Sequence, residues 1–138
     1  MKRLFAALAA TLALIPTGGV QAAEWPSKPV KIIVAYAAGG ANDLLARVFA
    51  ERLSAAFGQQ FVVENRTGGG GLIGAEAVAR SEPDGYTLMA SGMPSHVLAP
   101  AMNAKNAGFD PVRDFTHIAY LGGPPNVFAV HASSPVKS

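Results

Sequence analysis

Two glycine-rich segments of the chain offer backbone donors for a ligand. Gly39 and Gly40 follow an apolar run and precede a helical pattern, and the four glycines at 68–71 do the same later in the chain. Glycine lets a ligand approach the backbone closely, and a helix start carries unpaired N–H groups and partial positive charge. The pair of segments therefore indicates a site for a small anion such as a carboxylate. Tight turns without a ligand would explain either segment alone comparably well, but the pair less well.

Gly69, Gly71 and Gly74 also spell G-x-G-x-x-G, the dinucleotide fingerprint, between a predicted strand and a predicted helix. That fingerprint requires an acidic residue roughly 20 positions further on, which binds a ribose hydroxyl. No acid occurs between Asp84 and Asp110, and no Gly-Lys-Ser/Thr follows the glycines to make a P-loop. A Rossmann-type dinucleotide-binding enzyme domain therefore remains only the alternative, and no cofactor is expected.

Other catalytic or metal-binding arrangements are weak in this sequence. The chain has no Cys, and His96, His117 and His131 show neither i, i+4 spacing nor a carboxylate at ligand spacing. We expect these histidines at the surface or at strand ends, with no metal site. Ser95 beside His96 does not indicate a nucleophile pair, because neighbouring side chains point apart in most backbone conformations. The sequence favours binding without catalysis.

The amino terminus has the pattern of a secretory signal peptide. A charged start precedes an apolar run too short to span a bilayer, and Val20 and Ala22 provide a small-x-small cleavage site. We expect residues 1–22 to be removed, with a cut after Ala23 as the alternative. The mature product would then be periplasmic, with no membrane anchor.

Charge excludes two classes of partner. The chain has 11 Lys and Arg against 9 Asp and Glu, and the leader contains Lys2 and Arg3, so the mature chain is formally neutral. Because no cluster of basic residues remains, neither nucleic acid nor an anionic membrane is an expected partner. Without cysteine the fold must depend on apolar burial, as one domain of about 116 residues.

Hydrophobic patterning predicts an α/β fold with a parallel sheet flanked by helices. Strands are predicted near residues 30–36, 61–64, 86–90, 117–121 and 126–131. Strand and helix alternate with short connections through the first three of these, which implies parallel pairing.

Helical spacing predicts one helix after Gly40, capped by Asn42 or Asp43 and ended by Gly58. The apolar residues expected to form its buried stripe are Leu44, Leu45, Val48, Phe49, Leu53, Ala56 and Phe57. A second helix is predicted around Leu72 to Ser81, with Ile73, Ala77 and Val78 buried. A short helix is expected within Val97 to Ala104.

Several segments follow a recognisable order: WPSKP, VKIIVAYAAGGANDLLARVFAERL, GQQFVVENRTGGGGLIGAEAVARSEPDGYTLMAS and DPVRDFTHIAYLGGPPNVFAVHASSPVKS. They resemble the Bug/TctC family of tripartite tricarboxylate transporter substrate-binding proteins. The most specific elements are the G-G-x-x-D start of the first helix, the E-N-R-x-G-x-G-G run and P-D-G-Y-T-L.

The resemblance implies an extracytoplasmic receptor with two α/β lobes around a cleft, which passes small carboxylates to a membrane permease. Residues 23–138 would be the first lobe, truncated near the crossover to the second. The positions that match the family's ligand-binding loops are Tyr36, Ala37, Ala38, Gly39, Gly40, Ala41, Asn42, Asp43, Thr67, Gly68, Gly69, Gly70 and Ser91. Asp43 is assigned first to capping, because a carboxylate in direct contact with an anion would be repulsive.

The chain also departs from the family pattern. Members usually carry prolines at positions 37 and 38, Thr or Ser at 42, and Pro at 67, so this chain differs in loop stiffness and in one hydroxyl. Full members are more than twice as long. We therefore expect weak binding or none by this chain alone, because the opposite wall of the cleft is missing.

Overall fold

The computed structural model describes residues 24–103, 107–122 and 133. The expected signal peptide and the predicted strand at 126–131 lie outside the described residues, so both stay predictions.

Three parallel strands form the sheet: β1 (Val30–Val34), β2 (Phe61–Asn65) and β3 (Thr87–Ala90), in the order β2-β1-β3. In the central strand β1, Lys31 alone is exposed and its other residues are buried. Apolar residues at successive positions are typical of a parallel strand that is covered on both faces. The predicted α/β architecture is confirmed, with strand bounds shifted by one or two residues.

Helices connect and follow these strands. Helix α1 (Ala41–Phe57) joins β1 to β2, and helix α2 (Leu72–Ala79) joins β2 to β3. A π-helical turn (Pro94–Leu98) then runs into a short helix α3 (Ala99–Met102), which confirms the short helix expected in that window.

Glycine 58 ends α1 as predicted. It takes a left-handed φ of 67°, and its N–H donates to the carbonyl of Ser54 at 3.0 Å. A residue other than glycine would meet a steric penalty in this conformation.

Helix α1 turns a different face to the sheet from the predicted one. Asp43, Ala46 and Ala50 are buried, whereas Leu44 and Val48 are 58% and 56% exposed. The alanines belong to the same core cluster as the apolar residues of β1, where their small side chains let a helix lie close to a sheet. The predicted stripe is therefore wrong apart from the half-buried Leu53. Its exposed members are Leu44, Leu45, Val48, Phe49, Ala56 and Phe57.

Helix α2 is also rotated relative to the prediction. Gly74 and Ala75 are buried, Ala77 and Val78 are half-buried, and Ile73 is exposed. The absence of a side chain at residue 74 explains this choice, since a Cβ there would lie 2.7 Å from the Arg66 carbonyl oxygen and 3.0 Å from the Ala35 Cα. The helix ends at Ala79, two residues earlier than expected.

Residues 117–121 do not form the predicted strand. They have no ladder partner among the described residues, and Ile118 and Tyr120 are 79% and 88% exposed. Apolar and β-branched side chains favour a strand only where a neighbouring strand offers its backbone groups.

Aromatic side chains close the core at the amino ends of the strands. The ring of Trp25 meets those of Phe57, Phe61 and Tyr86 at centroid distances of 5.4, 6.3 and 6.1 Å. This cluster lies at the opposite end of the sheet from the glycine segments, which follow the carboxyl ends of the strands. No helix in the described part of the chain is long and apolar enough to cross a membrane.

Candidate functional site at the carboxyl ends of the strands

The three strands end at the same level. Val34, the last residue of β1, pairs with Asn65 of β2 and with Ala90 of β3, which are the last residues of their strands. The loops that follow therefore start side by side at one edge of the sheet. Open α/β sheets bind ligands at this edge.

The first loop is shaped by Asp43. Gly39 has a left-handed φ of 84°, and its N–H donates to the Asp43 carboxylate at 2.8 Å. The residue that caps α1 is Gly40, without a side-chain bond, so the prediction that Asn42 or Asp43 is the N-cap is wrong. Asp43 instead sits in the first helical turn and its side chain reaches back to the loop, much as the acidic residue of a capping box does.

Asp43 is also the buried centre of a polar network. Its side chain is 2% exposed and accepts bonds from Arg47 Nε at 3.0 Å and Asn65 Nδ2 at 2.8 Å. Asn65 Nδ2 donates in addition to the Tyr36 carbonyl at 3.0 Å, and Asn65 Oδ1 accepts from the Arg47 guanidinium at 3.2 Å. The end of β2 is thereby tied to the loop after β1 and to the first turn of α1.

The charge of Asp43 is stabilised by this network. The hydrogen bond from Arg47, followed by those from Gly39 and Asn65, holds the pKa of the Asp43 carboxyl well below its usual range, although burial opposes the shift. All three donors point at the two carboxylate oxygens, so Asp43 positions the loop, and Arg47 balances its charge. A nearby anionic ligand then faces a locally neutral pair.

This depressed pKa predicts an acid sensitivity. The unfolded carboxyl takes up a proton near its ordinary value of 3.8, whereas the folded one stays ionised at lower pH. Stability from Asp43 is therefore fully present above about pH 5 and is lost progressively as the pH falls. We expect the wild-type free energy of unfolding to decrease between pH 6 and pH 3 by urea titration, and the decrease to be smaller in Asp43→Asn. An equal decrease in both proteins would contradict this assignment.

The second loop is built from four glycines with positive φ. Gly68, Gly69, Gly70 and Gly71 have φ values of 121°, 58°, 70° and 97°, and the N–H of Gly71 donates to the Gly68 carbonyl at 2.9 Å. Any residue with a side chain would be strained at these positive φ values, so the loop requires glycine. Thr67 and Gly68 to Gly70 are exposed, whereas Gly71 is buried against Ala35 and Ser95.

The third part of the site follows β3. Ser95 is completely buried, shares a hydrogen bond of 2.9 Å with the Ser91 hydroxyl, and donates its N–H to the Tyr36 hydroxyl at 3.1 Å. A Cβ built on Gly92 would lie 3.3 Å from Asn42 Nδ2 and 3.6 Å from the Tyr36 hydroxyl. Tyr36, Asn42 and Ser91 therefore converge around Gly92, and the Tyr36 hydroxyl keeps its own proton available for donation.

Ser95 and His96 do not act on each other, as the sequence indicated. The Ser95 hydroxyl bonds to Ser91 and lies 3.4 Å from the Gly92 carbonyl, while the His96 ring bonds to Pro111 and His117. No group of three or more His, Cys, Asp or Glu side chains that could hold a metal occurs among the described residues.

The predicted site residues thus line one edge of the lobe. Those in the first loop, Ala37 to Ala41, are exposed, and Tyr36, Asn42 and Ser91 are half-buried. Two cavities, of about 400 and 330 Å³, lie elsewhere: one between α1 and β2, lined in part by Arg47 and Phe61, and one beside Lys28 and Asp84. Because Ala37 to Ala41 and Thr67 to Gly70 are exposed, the candidate site formed by the described residues is an open surface, which a ligand would touch from one side.

Sequence reasoning did not identify four residues that hold this site together. Asn65 and Arg47 complete the network of Asp43, while Gly92 and Ser95 link the third loop to the first. A polar residue at the end of an apolar strand, as at Asn65, was a signal available in the sequence. The contact between Arg47 and Asp43 could also have been predicted, since Arg47 follows Asp43 by one helical turn.

Comparison with known proteins gives a consistent result. The sequence model of the tripartite tricarboxylate transporter family receptor matches residues 45–138. A UPF0065 protein of Bordetella bronchiseptica is 40% identical over 131 residues, which is 95% of this chain and 39% of the relative. Across the first three curated relatives, the chain spans 34% to 39% of their length.

Solved structures agree with this match. The periplasmic binding protein BugD is 40% identical with a TM-score of 0.54, over 66% of this chain and 30% of that one. MatC from Rhodopseudomonas palustris, solved with bound malate, is 34% identical with a TM-score of 0.61, over 67% of this chain and 31% of MatC.

Proposed function

Since this chain belongs to the tripartite tricarboxylate transporter receptor family, we propose that it forms one lobe of a periplasmic receptor that captures a small carboxylate for such a transporter. Receptors of this family bind solutes for transport. The membrane permease subunits are the proposed partners, and the leader at residues 1–22 is the proposed route to the periplasm.

The observation that carries this proposal is the common level at which the three strands end. Because the strands end together, two glycine loops, the start of α1 and the Tyr36–Ser91–Ser95 group lie at one edge of the sheet. The first N–H groups of a helix have no partner within the helix and carry partial positive charge, so they suit a carboxylate. The malate bound by MatC supports the same ligand class for this chain.

Two side chains would complete the recognition. The amide NH₂ of Asn42 lies at the edge beside Gly92. The Tyr36 hydroxyl oxygen accepts the N–H of Ser95, and its own proton can be donated to a ligand. We propose that these two groups hydrogen-bond the ligand carboxylate together with backbone donors of the Ala37 to Ala41 loop and the second glycine loop. Asp43 holds the first loop in shape without touching the ligand.

An open, one-sided site implies low affinity. Ligand pockets usually bury most of their ligand, and the described residues supply a wall on one side only. We expect malate and other dicarboxylates to bind the 138-residue protein only at millimolar concentrations or above, measured by calorimetry and by NMR titration of backbone amides. Shifts should be confined to amides near Asn42, Gly69 and Ser91. Micromolar affinity would contradict the requirement for a second wall, and shifts elsewhere would contradict the site.

A matched pair of variants locates the ligand. Asn42→Ala removes an amide donor at the edge and should weaken dicarboxylate binding roughly fivefold, the effect of one hydrogen bond. Asn103→Ala removes an exposed amide that donates to the Ala99 carbonyl of its own helix, and should leave binding unchanged. The neutral diamide of malate should not shift the same amides.

The dinucleotide alternative lacks a key residue. β3 ends at Ala90 and is followed by Ser91 and Gly92, so no carboxylate stands where a ribose hydroxyl would be bound. An NAD titration in the same NMR experiment tests this alternative, and shifts at the second glycine loop with NAD but not with dicarboxylates would favour it.

A further inference from the structure

The rings of His96 and His117 lie together although the residues are 21 positions apart in the sequence. Their Nε2 atoms are 3.1 Å apart, and His96 Nε2 is also 3.0 Å from the Pro111 carbonyl oxygen. His117 is exposed and His96 is half-buried. Sequence spacing gave no sign of this pair, because the contact depends on how the loop after α3 folds back.

Hydrogen bonding alone does not satisfy His96. A neutral imidazole carries one proton, and His96 Nδ1 is buried without a partner among the described residues. If the proton is on Nε2, this single N–H must be shared between the Pro111 carbonyl oxygen and His117 Nε2. The lone pair of Nδ1 then has no hydrogen-bond donor among the described residues. With the proton on Nδ1, the Nε2 lone pair faces the lone pairs of the Pro111 carbonyl. Neither arrangement pairs every acceptor, whereas a cation that replaces the Nε2 proton would be coordinated by the Nε2 lone pair and by the carbonyl oxygen.

We propose that His96, His117 and the Pro111 carbonyl bind a transition-metal cation such as Zn²⁺ or Ni²⁺. At metal–nitrogen distances of about 2.05 Å, the separation of 3.1 Å corresponds to an angle of about 100° at the metal, between the octahedral and tetrahedral values. The 3.0 Å from His96 Nε2 to the carbonyl oxygen gives a similar angle. Imidazole nitrogen is a preferred ligand of Zn²⁺ and Ni²⁺. Water would complete the coordination sphere on the exposed side of His117.

The ligand atoms are held in place by their surroundings. Asp110 Oδ1 accepts from the N–H groups of Val112 and Arg113 at 2.8 and 3.0 Å, and Asp114 Oδ2 accepts from the Asp110 N–H at 2.6 Å. This turn fixes the carbonyl of Pro111. The rings of His96 and Phe115 pack in a T-shaped arrangement at a centroid distance of 4.7 Å.

A neutral imidazole is the form that binds metals. Because metal-bound histidines usually donate their other N–H and Nδ1 of His96 has no acceptor among the described residues, we expect affinity in the range of tens of micromolar rather than nanomolar.

Calorimetry with Zn²⁺ on the untagged, chelator-treated protein tests the proposal. We expect one cation per chain, and a Tm that rises with Zn²⁺ by mass action. His117→Ala removes an exposed ring without opening the core and should weaken binding at least tenfold. His96→Gln should do the same. Mg²⁺, which prefers oxygen ligands, should give no saturable heat.

The third histidine provides the matched control. His131→Ala should bind Zn²⁺ as tightly as the wild type. The proposal fails if His117→Ala retains wild-type affinity, if His131→Ala loses affinity as strongly as His117→Ala, or if neither Zn²⁺ nor Ni²⁺ binds saturably up to millimolar concentrations. If His96→Gln does not fold, His117→Ala alone decides.

Discussion

Replacing Asp43 by Asn should lower the Tm of this protein by roughly 5 to 15 °C, since an amide at this buried position leaves hydrogen-bond donors without an acceptor. The carboxylate accepts from Gly39, Arg47 and Asn65, with two of these bonds on Oδ2 and one on Oδ1. An amide has one acceptor oxygen, so in either orientation its NH₂ group faces at least one of these donors. Thermal unfolding by circular dichroism measures the effect.

The matched control for Asp43→Asn is Asp84→Asn. Asp84 also has a pKa below its ordinary value, chiefly because its carboxylate accepts the N–H of Tyr86, and it pairs with Lys28 at 3.2 Å. Both partners of that pair are substantially exposed, so its loss should change the Tm much less than Asp43→Asn does. If the two variants have the same Tm, the buried network of Asp43 does not organise the lobe as described.

The family and the fold were accessible from sequence because their signals are local. The mostly apolar run of β1, the glycines that follow the strands and the alternation of strand and helix were enough to predict the parallel α/β arrangement, which the structure and the family match confirm. The ends of the strands shifted only slightly. The site edge followed from topology, because parallel strands must present their carboxyl ends together.

Which face of each helix is buried could not be predicted in the same way. Helical spacing marked Leu44 and Val48 as buried because they are large and apolar, whereas the sheet is covered by Ala46 and Ala50. What decides is how closely two backbones approach, and small residues permit the closer contact. Close approach of two backbones likewise explains why Gly74 is buried and Ile73 is exposed.

Polar contacts between residues far apart in the chain could also not be predicted from the sequence. Asn65 reaches Asp43 across 22 positions, and His96 reaches His117 across 21. Spacing rules find partners one helical turn or one strand pair apart, so contacts made where separate loops meet escape them. The first contact joins the end of β2 to the first turn of α1, and the second joins the π-helical turn to the segment at His117.

Replacing Gly71 by Ala should destabilise the protein by roughly 2 to 5 kcal/mol, the sum of a strained left-handed conformation and an overpacked contact. Gly71 has a φ of 97°, and a Cβ there would overlap the Cβ of Ser95 and lie 3.3 Å from that of Ala35. Ser95 is completely buried and holds Tyr36 and Ser91, so it has no room to retreat. Urea unfolding measures the loss.

Two further variants separate strain from overlap at Gly71. Gly39→Ala has a similar φ of 84° with no atom within 4 Å of the new Cβ, so it should lose only about 1 to 2 kcal/mol from strain. In the double variant Gly71→Ala with Ser95→Gly the overlapping atom is gone, so the two substitutions should be less than additive. If Gly71→Ala costs no more than Gly39→Ala, or if the double variant is strictly additive, Gly71 and Ser95 are not in contact. The second glycine loop would then be free of the third, and the edge at which the ligand is proposed to bind would not be one connected surface.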